Sequence, residues 1–89
     1  MAKKEMNNLV IIGRKPMAEY STAVLLAFED HRTVLLSSVG LNVEKAERLV
    51  YLFTNIGVKL EHREKKDYKD GLKATIFTLV NVNGKKTDG

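Results

Sequence analysis

Arg14 and Lys15 are the residues of this chain best suited to chemistry, because two adjacent cations stand between an apolar run, Leu9-Val10-Ile11-Ile12-Gly13, and Pro16. A guanidinium and an ammonium held side by side can meet neighbouring phosphate oxygens and displace the counterions condensed on them. A second set of cations, Lys59, Arg63, Lys65, Lys66, Lys69 and Lys73, lies further along, interleaved with Glu61, Glu64, Asp67 and Asp70. Six positive side chains against four negative ones leave that segment at +2. Adjacent surface cations are usually no more than solvated, so the case for Arg14 and Lys15 rests on the stiffness of their setting. The alternating charges of the second set equally suit a device that keeps exposed strand edges from pairing.

Catalytic chemistry finds little footing. His31 and His62 are far apart, with no metal-ligand spacing around either. Ser37 and Ser38 have no neighbouring base in the sequence, and Gly13-Arg14-Lys15-Pro16 lacks the spaced glycines and Lys-Ser/Thr pair of a P-loop. Without cysteine there is no thiol nucleophile, thiolate metal site or disulfide framework. The chain reads as a binding protein and not an enzyme, with no cofactor and no small-molecule substrate.

The cations need elements to position them. Val10, Ile11 and Ile12 are β-branched, which predicts a short strand buried on both faces. Pro16 suits the first position of a helix, and the residue before a proline favours extended geometry, so Lys15 stays outside that helix. Met17, Tyr20, Ala23, Val24, Ala27 and Phe28 recur at helical spacing up to Glu29 to His31, with Leu25 and Leu26 widening the face. Tyr20 reads better as a core aromatic with its hydroxyl at the edge than as a base-stacking residue.

Thr33 to Ser37 is a second short strand, and the intervening helix predicts a right-handed parallel β-α-β unit. Gly40 supplies the next turn, and Asn42 is the expected N-cap of a second helix, with Glu44 in its first turn. Val43, Ala46, Leu49, Val50, Phe53 and Ile56 form its apolar face, Gly57 ends it, and Leu52 lies off the stripe. Lys45 and Arg48 on this helix are more often solubilising than functional, although Lys45, near the Asn42 cap, could join the corner cations over a phosphate. From Val58 to Lys65 the residues alternate, with Val58, Leu60, His62 and Glu64 on one face. Leu72 to Val82 returns into a core, and Asp70-Gly71 marks a hairpin turn between the two.

At 89 residues, 44% hydrophobic and 29% charged, the chain supports one compact domain over 9–82, with a flexible basic lead-in at 1–8 and a flexible tail at 83–89. A net charge of +4 favours polyanionic partners. No segment resembles a signal peptide or reaches membrane-spanning length, so no membrane partner is expected, and the lack of cysteine permits a cytoplasmic location.

The expected fold is α+β: a single two-layer domain of order β-α-β-α-β-β, with a mixed four-stranded sheet, two helices and an extended hairpin of the last two strands. That order, together with Ile12-Gly13-Arg14-Lys15-Pro16 followed by Tyr20, and Lys45-Ala46 in the second helix, resembles the Alba family of small nucleic-acid-binding chromatin proteins. The resemblance implies sequence-tolerant binding of double-stranded DNA, RNA or both, chromatin-type packaging, and a cytoplasmic protein associated with the chromosome. It implies a homodimer, or a heterodimer with a paralogue, that sets two basic corners on the duplex while the hairpins reach out as arms. The nucleic-acid-binding residues it points to are Arg14, Lys15, Tyr20, Asn42, Lys45, Arg63, Lys65, Lys66, Lys69 and Lys73. Val39 and Leu41 stand where many members carry arginines, and Arg14 stands where many carry a lysine open to acetylation, which leaves Lys15 as the candidate for that modification. Two alternatives follow: an RNA-binding role on the same surface, or a protein-interaction and heterodimerisation subunit that binds nucleic acid weakly.

Overall fold

A computed structural model describes residues 8–81. The order is β1 (Leu9–Ile11), α1 (Met17–Asp30), β2 (Thr33–Val39), α2 (Asn42–Thr54), β3 (Val58–Asp67) and β4 (Lys73–Asn81). The strands form one sheet in the order β1-β2-β4-β3, with β1 parallel to β2 and the other pairs antiparallel. This is the mixed, two-layer α+β architecture that the sequence predicts. The segments 1–7 and 82–89, which contain the predicted tail and nearly all of the lead-in, lie outside the described residues.

Both helices cover the same face of the sheet, α1 over β1 and β2, α2 over β2, β3 and β4. Alternation on each strand sends one set of side chains into that layer. Val34 and Leu36 of β2 face Leu79 and Phe77 of β4 across the ladder, and all four are buried. Tyr20, Val24 and Ala27 close over them from α1, and Ala46, Leu49, Val50 and Phe53 from α2. Phe28 and Phe53 meet as tilted rings 6.5 Å apart, joining the helices.

The structure corrects several local expectations. β1 is an edge strand with one uncovered face, so Ile11 is 69% exposed and not buried on both sides. Ile12, just past the strand end, is the residue that enters the core, and its N–H donates to the Ser37 carbonyl at 2.8 Å. Pro16 is the N-cap of α1 and not its first helical residue: its ψ of 151° is extended, and its carbonyl accepts from the Glu19 N–H. Asn42 is not an N-cap. The turn at Gly40, with φ of 62°, passes through an α-region Leu41 straight into the helix, so Asn42 is already helical and its side chain makes no capping bond. Ile56 lies beyond the end of α2 and is 64% exposed.

The hairpin is longer than the alternation predicts, with β3 running to Asp67 and the turn tightened by left-handed Asp70 and Gly71. A β-bulge between Leu60 and His62 shifts the register. Val58 and Leu60 lie on the helix side, but beyond the extra residue it is Arg63, opposite Phe77, that takes this face, while His62 and Glu64 pass to the uncovered one.

Candidate nucleic-acid interface

The corner from Gly13 to Pro16 leaves the sheet at the end of β1 and enters α1, and it has no ladder to satisfy its backbone groups. Two side chains supply the bonds. The Tyr20 hydroxyl accepts from the Gly13 N–H at 2.8 Å and the Lys15 N–H at 3.0 Å. The Lys45 ammonium donates to the Gly13 carbonyl and the Lys15 carbonyl, both at 2.9 Å, and lies 5.6 Å from the centre of the Tyr20 ring. Both N–H groups and both carbonyls that flank Arg14 are therefore engaged from within the protein. Tyr20 reaches them because it is the fourth residue of α1 and its ring is buried. Lys45 reaches them because Asn42 opens α2 beside the corner.

The consequence for recognition is direct. Unlike a P-loop or a backbone nest, where main-chain N–H groups cradle an anion, this corner has spent the N–H groups of Gly13 and Lys15 on Tyr20. Charge must come from side chains. Arg14 is exposed and has no ionic partner among the described residues, and Lys15 has only a 3.9 Å contact with Glu19, one turn on, with both side chains largely in water. Such an exposed pair is weak and easily exchanged for a phosphate.

The hairpin cations divide into engaged and free. Arg63 donates to Glu47 of α2 at 2.9 Å and lies 5.2 Å from the centre of the Phe77 ring. Lys73 is held by Asp67 at 2.6 Å, Lys66 stands 3.8 Å from Glu64, and Lys69 covers the ring of Tyr68. Lys59 and Lys65 have no ionic partner among the described residues. The structure thus brings Arg14, Lys15, Tyr20 and Lys45 together in one corner. It places Lys65, Lys66, Lys69 and Lys73 on an exposed arm, and Arg63 at the arm's base against α2. Asn42 opens the helix that carries Lys45 and makes no bond to the corner.

Glu47 is the residue that sequence reasoning misses. It is an unremarkable helix-surface carboxylate until the bulge brings Arg63 to its side of β3, and nothing in the spacing of either residue signals the pair. At the β2–α2 turn, Leu41 is 96% exposed. Among the described residues no group of three or more His, Asp or Glu side chains is gathered closely enough to hold a metal ion.

No known family's sequence model matches the chain, and no curated protein matches it in sequence. Solved structures do match. The crystal structure of ALBA1 from Trypanosoma brucei superposes with a TM-score of 0.75 at 12% identity, covering 86% of this chain and 72% of that one. Alba from Thermoplasma volcanium superposes with a TM-score of 0.65 at 19% identity, covering 81% of this chain and 98% of that one. At these identities the likeness is one of fold, and the fold is that of the Alba proteins.

Proposed function

We propose that this protein binds double-stranded nucleic acid with little sequence preference, DNA or RNA, as a dimer whose two corners and two hairpin arms contact phosphates. A packaging role along a cytoplasmic chromosome fits that mode of binding. The observation that carries the reading is the corner: Arg14 and Lys15 are exposed and weakly compensated, on a backbone already fixed by four hydrogen bonds. A cation displayed this way has no backbone freedom left to lose on meeting phosphate, so only its side chain is ordered. Phosphate contacts position a protein without reading bases, which is why sequence tolerance belongs to the proposal.

The dimer is supported by apolar surface that one chain leaves uncovered. Leu25, Leu26, Tyr51, Leu52 and Ile56 on or beside the helices are each about half or more exposed, and Leu9 and Ile11 stand on the open face of the sheet. Light scattering at micromolar concentration should return the mass of two 10.0 kDa chains. The same surface favours a second reading, a heterodimerisation subunit that binds nucleic acid well only with its partner.

The test is replacement of Arg14 and Lys15 by alanine. Stability should change by no more than about 0.5 kcal/mol, since neither side chain is packed. Duplex affinity should fall similarly for all sequences. The slope of log affinity against log salt should flatten by up to about 3 to 4 for a dimer losing four phosphate contacts at roughly 0.9 each. An unchanged slope for both DNA and RNA would move the heterodimerisation reading ahead.

A further inference from the structure

We infer that Lys45, acting with Tyr20, is a positioning residue of the corner: it serves nucleic-acid binding by fixing the Gly13–Pro16 backbone and not by touching phosphate. An ammonium has three N–H donors. Two of the three are directed at the Gly13 and Lys15 carbonyls, in a half-buried position against the Tyr20 ring. The third N–H has no partner among the described residues, but Lys45 cannot extend toward a phosphate beyond the corner without giving up both bonds and leaving two carbonyls without a donor. The arrangement has a second effect. Carbonyl oxygens repel phosphate, and an ammonium bonded to both offsets their partial negative charge in the corner that carries Arg14 and Lys15. Tyr20 completes the clamp from the donor side, so residues of α1 and α2 more than twenty positions apart fix one bend between them.

The binding half of this inference rests on the proposed nucleic-acid reading, and the structural half does not. Amide hydrogen exchange in the free protein tests the structural half with two conservative variants, Tyr20→Phe and Lys45→Met. In both, exchange at the Gly13 and Lys15 amides should accelerate by at least about tenfold relative to amides of β2, because local opening becomes easier. The informative case is Lys45→Met, which removes no bond to either amide directly. Unchanged exchange at Gly13 and Lys15 in that variant overturns the clamp.

Duplex binding completes a double-mutant cycle. Lys45→Met should weaken binding about fivefold to tenfold in the parent protein and less than about twofold in Arg14→Ala, Lys15→Ala, because residues acting through one another are not additive. Equal losses in both backgrounds assign Lys45 to phosphate itself and overturn the inference. A parent protein that binds no duplex overturns the nucleic-acid reading instead, and the exchange measurement, which needs no ligand, still decides the clamp.

Discussion

Arg63 Nη2 stands 2.9 Å from Glu47 Oε2, joining the base of the β3–β4 hairpin to the middle of α2, while the guanidinium covers the ring of Phe77. The bond exists because the bulge after Leu60 turns Arg63, and not His62, toward the helices. Lys45 and Glu47 therefore act in opposite directions from one helix: the first holds the corner, the second holds the arm. Glu47 also neutralises a cation that would otherwise be available to a polyanion. The pair is about half exposed, so its contribution to stability is at most about 1 kcal/mol.

Glu47→Gln keeps the shape and removes the charge. The melting temperature should fall by no more than about 4 to 8 °C, the shift expected for roughly 1 kcal/mol in a domain of this size. Arg63 is then free to exchange its partner for phosphate. Duplex affinity should rise and the salt slope should steepen by up to about 0.9 per protomer. Isothermal titration at several salt concentrations measures both, and weaker binding or a shallower slope contradicts the competition between Glu47 and phosphate.

The same distinction separates two lysines of the arm. Lys65 has no ionic partner among the described residues, whereas the Lys73 ammonium is 2.6 Å from Asp67. Lys65→Gln and Lys73→Gln each remove one positive charge, so their effect on the overall field is equal. Lys65→Gln should lower the salt slope by up to about 0.9 per protomer, and Lys73→Gln should lower it less, because Lys73 meets a phosphate only by giving up Asp67. Equal slopes for the two variants, both below the parent, show that Lys73 leaves Asp67 for the duplex.

The sequence makes the layout readable where a single period governs a segment. Tyr20, Val24 and Ala27, or Leu49 and Phe53, repeat with the turn of a helix, and burial of that stripe follows. The corner is legible because Pro16 restricts its own φ and the geometry of Lys15. What escapes is whatever depends on a neighbour distant in sequence. Ile11 has the composition of a buried strand, but only the sheet order makes β1 an edge. Asn42 has the chemistry of a cap, yet Gly40 and Leu41 bring the chain into the helix one residue early. The bulge at Glu61 leaves no mark in the alternation and reverses the faces of every residue beyond it. Lys45 and the corner are thirty residues apart, so its bonds to Gly13 and Lys15 have no local signature.

Gly13 and the Tyr20 hydroxyl are close enough that a side chain at position 13 would press on that oxygen. An ideal Cβ there would stand 3.2 Å from Tyr20 Oη, the oxygen that accepts the Gly13 N–H at 2.8 Å. Gly13 does not have a positive φ, so the obstacle to alanine is this oxygen and not the backbone conformation. In the parent, Gly13→Ala should push the hydroxyl away from the two N–H groups it serves and cost about 1 to 2 kcal/mol, the effect of loosening partly buried hydrogen bonds. In the Tyr20→Phe protein the oxygen is gone, and with it the clash. Alanine there restricts the unfolded chain more than glycine does, which stabilises by about 0.4 to 1 kcal/mol where the native backbone accepts it. The substitution should therefore reverse sign, destabilising with Tyr20 and neutral to stabilising with phenylalanine, as read by chemical denaturation of the four proteins of the cycle. If Gly13→Ala costs the same in both backgrounds, the Tyr20 hydroxyl is not what requires the glycine.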